Sequence, residues 1–338
     1  MALLEVDHLD IRFPLRHDEI RAVRDVSFAL ERGERLGIVG ESGAGKSVLA
    51  FSLLKLLSRP GYIAGGRVRF EGRELTTLSD RQLRRIRGNR VAMIFQDPLT
   101  TLNPTLTIGR QMIESLKAHR RISERRARAI ALHKLRQVQV SSPEQRFEQY
   151  PHQLSGGLCQ RVVIAIALLL DPDIIIADEP TTALDVTIQA EIIALLTQLC
   201  GKHNVGLIVI SHDLCVIGQL TQRLLVMYAG RIVEQGPTRE IINDAQHPYT
   251  QGLINALPQM TLPRQRLAQI PGNMPSLARV PDGCAFHPRC RYRFTPQGRL
   301  RQACVERVPE AVSSGGSRVA CHWVRELITT VPIEEEAI

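Results

Sequence analysis

The chain has 338 residues, 44% hydrophobic and 23% charged, which is the usage of a globular protein with a sizeable core and excludes wholesale disorder. Lys and Arg total 43 against 34 Asp and Glu, a formal charge of +9, which permits nucleic acid, an anionic membrane surface or phosphorylated ligands without choosing among them. The longest apolar run, Val162 to Leu170, falls well short of the roughly 20 residues that cross a bilayer.

The opening Met1-Ala2-Leu3-Leu4-Glu5 lacks a basic region followed by an apolar stretch, so no signal peptide is expected and the chain should stay in the cytosol. Residues 3–13 and 20–30 read as strands from the alternation of Leu4, Val6, Leu9, Ile11 and Phe13 and then Val23, Val26 and Phe28. Leu36-Gly37-Ile38-Val39 leads into a glycine loop, and a helical pattern covers Lys46 to Leu57. Between 79 and 170 the chain is rich in helix and arginine. Two β-branched runs, Ile174–Ala177 and Leu207–Ile210, suit strands covered on both faces of a parallel α/β sheet, with a helix over Gln189–Leu199 between them. Beyond Gly236-Pro237 prolines multiply and apolar strands fade, which places a boundary near 236–256. The acidic end Glu334-Glu335-Glu336 reads as a frayed terminus.

Gly40-Glu41-Ser42-Gly43-Ala44-Gly45-Lys46-Ser47 fits G-x-x-x-x-G-K-[ST] between a strand and a helix. Glycines let consecutive N–H groups turn toward phosphate oxygens, and the helix that follows adds its N-terminal dipole. Lys46 reaches the β- and γ-phosphates, and the Ser47 hydroxyl ligates Mg²⁺. Adjacent carboxylates at the end of a buried strand are costly unless they have a task. Asp178 can hold the metal, and Glu179 can act as general base on an attacking water. His212, after the strand ending at Ile210, can orient that water, and Gln96 ends the run Val91–Phe95 as another strand-terminal polar residue. Ser155-Gly156-Gly157 opens an apolar helix that Ser155 can N-cap. This second anion-binding helix start is accounted for by two chains packed head to tail.

These motifs, in this order and together with Ala183-Leu184-Asp185, resemble the nucleotide-binding subunits of ABC transporters over about residues 3–236. The resemblance implies an α/β ABC-type P-loop ATPase with an inserted helical subdomain, binding ATP and Mg²⁺. It implies that Ser155, Gly156 and Gly157 contact the ATP of the opposite chain, that Asp185 links the two sites, that Gln96 serves the metal and the water, and that Phe13 stacks on adenine. Leu158 stands where the superfamily often has Gln. Phe95 to Pro104, Ala177 to Thr187 and His247-Pro248-Tyr249-Thr250 are similar to the di- and oligopeptide/nickel importer ATPases, a match that runs to about residue 325. This implies an ATPase domain over 1–250, with a helical subdomain at about 97–170, and a small irregular cysteine-bearing extension over 251–338. Its implied partners are a second ATPase subunit, most often a paralogue, two transmembrane permease subunits and an extracytoplasmic solute-binding protein, with the chain peripheral on the cytoplasmic face of the inner membrane. Segment 97–104 is the expected permease contact. Nickel-chelate and glutathione-type import are the alternatives within the family. A soluble ATPase acting on nucleic acid is the rival outside it; the chain has one phosphate loop and no long heptad run, and no nucleic-acid partner is expected.

Cys284-x5-Cys290-x13-Cys304-x16-Cys321 supplies four thiols in a reducing compartment where structural disulfides are rare. Four thiolates can hold Zn²⁺ or a 4Fe–4S cluster. No short C-x2–4-C knuckle is present, and the importer resemblance implies the cluster, bound by these four cysteines. Against the family's usual spacing, Tyr292 to Gln302 looks like an insertion. With a sheet of its own, the ATPase core is expected to bind ATP independently of this tail.

Overall fold

The computed structural model describes residues 2–16, 18–182, 184–257 and 269–330. Ala183, Pro258, Pro263 and the acidic end at 334–336 lie outside the described residues. The strands are β1 (Leu4–Pro14), β2 (Glu19–Leu30), β3 (Arg35–Val39), β4 (Tyr62–Phe70), β5 (Arg73–Glu74), β6 (Val91–Ile94), β7 (Ile174–Asp178), β8 (Gly206–Ser211), β9 (Arg223–Tyr228), β10 (Arg231–Pro237), β11 (Ala311–Ser314) and β12 (Ser317–Ala320). The chain forms two compact units. One comprises residues 1–5, 29–35 and 68–211; the other comprises 6–28, 36–67 and 212–338.

In the first unit β6, β7 and β8 lie parallel, with Val91 opposite Ile174 and Ile174 opposite Gly206. Every residue of β7 and β8 is buried, as expected of strands covered on both faces. The helices Ile108–His119, Glu124–Gln137 and Gly156–Ala167 pack on one another, and Met112, Leu116, Ala127, Ala131 and Val162 on them are fully buried. Their starts are fixed by side chains: Thr107, Ser123 and Ser155 each accept an N–H from the first turn, an arrangement that stabilises a helix by about 1 kcal/mol per cap. The buried Lys134 ammonium pairs with Asp171 at 2.6 Å. The helix expected over 189–199 runs from Val186 to His203. Asp185 caps its start, and Asn204 at φ 53° ends it in the left-handed conformation that Asn tolerates.

In the second unit β3 pairs parallel with β9, and β9 antiparallel with β10. The helix expected through Leu57 ends at Leu53, because Lys55 turns to φ 50°. Where fading strands were expected after 237, a hairpin continues the sheet. β12 pairs antiparallel with β10, Glu234 opposite Val319, and β11 pairs with β12. Gly315 and Gly316, at φ 55° and 75°, form the two-residue turn, where two positive φ angles match the twist of the strands. The C-terminal segment is therefore part of the same sheet as the glycine loop's strand, and the expectation of an ATPase core with a separate sheet is corrected.

Candidate nucleotide site

The glycine loop belongs to the second unit. Buried Leu36, Ile38 and Val39 anchor β3, and the chain then turns through Gly40 to the helix Lys46–Leu53. A Cβ on Gly40 would stand 2.3 Å from the Met227 carbonyl, and one on Gly45, at φ 97°, 2.4 Å from the Ala22 carbonyl. Backbone sits against backbone at both positions, so no other residue fits. Lys46 is 6% exposed; its Nζ donates to the Gly40 carbonyl at 2.8 Å and the Glu41 carbonyl at 3.0 Å. The ammonium thus rests on the loop's own oxygens, at the place where phosphate oxygens would replace them. Ala44 is fully buried, Ser42 and Gly43 are exposed, and Ser47 follows Lys46 on the first turn. In the same unit Phe13 is half-buried near the end of β1, its ring against Gly61, and His212 is exposed.

The carboxylates belong to the first unit. Asp178, 3% exposed, ends β7. Glu179 follows at φ 49°, a left-handed conformation that costs a non-glycine residue on the order of 1–3 kcal/mol and gathers at functional sites. Its N–H donates to the Ile210 carbonyl at 2.8 Å, which ties it to the end of β8. Its Oε2 accepts from Gln96 Nε2 at 3.0 Å and from the Thr182 hydroxyl at 2.7 Å. Two residues 83 apart, each expected at a strand end, are therefore in contact, and Thr182 is a third member that sequence reasoning missed.

The Ser155 hydroxyl accepts from the Leu158 N–H at 3.4 Å. A Cβ on Gly157 would meet Ile188 Cγ2 at 2.9 Å, and one on Gly156 would lie 4.0 Å from Leu184. The Ser-Gly-Gly helix start therefore lies beside the helix start that Asp185 caps, with Asp185 Oδ1 accepting from the Ile188 N–H at 2.9 Å. Gly157 is the glycine that allows this approach.

The importer-like motif His247–Thr250 has a structural logic that its sequence does not announce. Burial pushes the His247 imidazole down to about 3, so it is neutral. Its Nδ1 accepts from the Tyr249 N–H at 3.0 Å and caps the helix Pro248–Asn255. The next element of the motif, the fully buried Tyr249, places its hydroxyl 2.8 Å from the Glu41 N–H and accepts from it. Tyr249 is thus a direct support of the glycine loop.

All four tail cysteines are unpaired by disulfides, with Cys304 and Cys321 buried and Cys284 and Cys290 partly so. Burial pushes the Cys284 and Cys321 thiols up to about 12 and Cys304 to about 11, and raises Cys290. The thiols also raise one another, Cys284 feeling the other three, so they share one neighbourhood. The Cys284 N–H donates to the Cys304 carbonyl at 2.9 Å. Residues 292–302 fold back, with Tyr292 stacked on Trp323 at 3.7 Å and Arg301 donating to the Tyr292 carbonyl at 2.9 Å. Among the described residues, no three His, Cys, Asp or Glu side chains are gathered as a site for a single metal ion, and no helix is long and apolar enough to cross a membrane.

Residues 23–182 match the ABC transporter family, and residues 233–295 match the oligopeptide/dipeptide transporter C-terminal region. The dipeptide transport ATP-binding protein DppD of Escherichia coli is 44% identical over 96% of this chain and 97% of its own length. The oligopeptide transport ATP-binding protein OppD of the same organism is 44% identical over 91% and 94%. Among solved structures, the dimeric ATP-binding cassette MJ0796 in a post-hydrolysis state bound to ADP and Pi is 28% identical, with a TM-score of 0.63 over 70% of this chain and 99% of that one. With the glycine loop, the strained glutamate and the capped Ser-Gly-Gly helix in place, the chain belongs to the ATP-binding subunits of ABC transporters, in their oligopeptide/dipeptide branch.

Proposed function

We propose that the chain is the ATP-hydrolysing subunit that energises import of di- or oligopeptides. The observation that carries this reading is the glycine loop, with Lys46 held on the Gly40 and Glu41 carbonyls, in a chain matching DppD and OppD nearly end to end. The ATPase domain is assigned to 1–250, with its helical part at about 97–170, and the extension to 251–338. Gly40 to Ser47 bind the phosphates and Phe13 the adenine. Ser47, Gln96 and the buried Asp178 are the residues that would hold Mg²⁺, their oxygens being of the kind it takes, and when bound the ion would offset phosphoryl charge. Glu179 accepts the proton of the attacking water, His212 meets the γ-phosphate, and Ser155, Gly156, Gly157 and Asp185 serve the ATP of a partner ATPase, a paralogue in the reading favoured here. Segment 97–104, in which Leu99 is exposed, is offered to two permease subunits at the cytoplasmic face of the inner membrane. An extracytoplasmic binding protein delivers the solute.

Ser155→Arg tests this assembly. The isolated subunit keeps its ATP affinity, because Ser155 serves the partner's nucleotide. The complex with permease loses hydrolysis, and cells lose peptide uptake. Collapse of ATP affinity in the isolated subunit refutes the trans assignment, and unchanged dipeptide uptake in cells carrying the variant refutes the import reading.

We further propose that Cys284, Cys290, Cys304 and Cys321 hold a 4Fe–4S cluster that staples the extension. What supports the cluster is the likeness of the extension to that of the peptide importers, whose matched C-terminal region, residues 233–295, takes in Cys284 and Cys290, together with the lack of a short C-x2–4-C knuckle among the four cysteines. Anaerobically purified protein is expected to be brown and to contain iron and acid-labile sulfide. One zinc and no iron per chain would replace the cluster with a zinc site, and neither metal would leave four free thiols.

A further inference from the structure

Arg289 lies between Cys284 and Cys290 in sequence, 248 residues from the glycine loop, yet its guanidinium grips that loop. Nη1 donates to Glu41 Oε2 at 2.7 Å and Nη2 to Glu41 Oε1 at 3.0 Å, a two-pronged contact. The Arg289 side chain is 6% exposed and that of Glu41 31%. Its third nitrogen, Nε, donates to the Pro271 carbonyl at 2.9 Å, Nη1 also donates to the Tyr228 hydroxyl at 3.4 Å, and the guanidinium stands over the rings of Tyr228 and Phe286. The fork is therefore locked in place before it meets the carboxylate, and such planar bidentate pairs fix geometry as well as supplying energy.

Glu41 is the second residue of the loop, and three groups hold it. Its carboxylate takes Arg289, its N–H goes to the Tyr249 hydroxyl, and its carbonyl receives Lys46. Two of those three groups come from beyond residue 247. The same segment reaches the loop again at Met274, whose methyl would stand 3.2 Å from a Cβ on Gly43. A backbone nest binds phosphate only when its N–H groups are already aimed, and alignment is lost readily when a support is removed.

We infer that Arg289 is a positioning residue for ATP: through Glu41, the cysteine-bearing segment holds the phosphate loop in its nucleotide-ready shape. The inference rests on Gly40–Ser47 being the phosphate site, and Lys46→Ala in the same assay tests that premise separately.

The experiment is titration of full-length protein with a fluorescent ATP analogue, paired with ATP hydrolysis in the assembled transporter. Arg289→Ala is expected to weaken nucleotide binding about tenfold, within the usual range of coupling between sites. KM for ATP should rise in parallel, while kcat stays within about twofold, as for an interaction that sets binding alone. Arg289→Lys keeps the charge and loses the fork, and should fall between. Glu41→Ala should match Arg289→Ala, and the double variant should be no weaker than either single one. Unchanged affinity in Arg289→Ala, additive losses in the double variant, or a fall in kcat at constant KM would each overturn the proposal. If Arg289→Ala fails to fold, Arg289→Lys and Glu41→Ala still decide it. Full ATP affinity in Lys46→Ala would instead remove the premise.

Discussion

Glu179→Gln is expected to bind Mg·ATP normally and to lose turnover by a factor of about 10²–10⁴, the usual contribution of a general base. The substitution is a clean one because of how Glu179 is held. Its backbone is pinned by the N–H to Ile210 and its side chain by Thr182 and Gln96. A glutamine in the same place still offers an oxygen to the Thr182 hydroxyl, so the strained turn at φ 49° keeps its supports. What is lost is the ability to accept a proton from water. With hydrolysis blocked, ATP remains between two subunits, and a closed pair should accumulate in size-exclusion chromatography with ATP. The check is phosphate release by the assembled transporter, and near-normal release would falsify the assignment of Glu179 as base.

The parts of this site readable from the sequence are those in which a short run of residues dictates its own backbone. Gly40 and Gly45 stand where a Cβ would strike a carbonyl, so the loop's shape is written in its glycine spacing. Ser155 is followed by two glycines and an apolar run, and it caps that helix. The apolar runs of β7 and β8 are short and β-branched, which suits strands covered on both faces. What was not readable depends on distant pairing. Nothing in Glu41 or Arg289 announces a partner 248 residues away, and a Pro-Tyr dipeptide does not reveal that its hydroxyl receives a loop N–H. Thr182 was hidden for a different reason, since a threonine in an acidic turn ordinarily bonds its own backbone. The β11–β12 hairpin carried a legible signal in Gly315-Gly316. Its strands are four residues each and rich in serine, too short and polar to show alternation, and only pairing with β10 makes them strands.

Lys46→Ala should abolish measurable ATP binding and, with it, transport. The lysine's hydrogen bonds to phosphate are charge-assisted, and each such bond is worth roughly 1.5–3 kcal/mol, so losing two or more lowers affinity by about two orders of magnitude or beyond. Two cations nearby in sequence or space are poorly placed to substitute for it. The next lysine is Lys55, beyond the end of the helix at Leu53, and both terminal nitrogens of Arg289 are committed to Glu41. The fold should survive. The helix is held by Leu49, Ala50 and Leu53, all essentially buried, and the loop by Tyr249 and Arg289, none of which depends on the Lys46 ammonium. The Gly40 and Glu41 carbonyls that lose their donor face a space that water can enter once the side chain is gone. Circular dichroism of the variant should therefore match the parent while titration with the fluorescent nucleotide shows no saturation. Retained affinity in a folded variant would mean that the phosphates are held elsewhere.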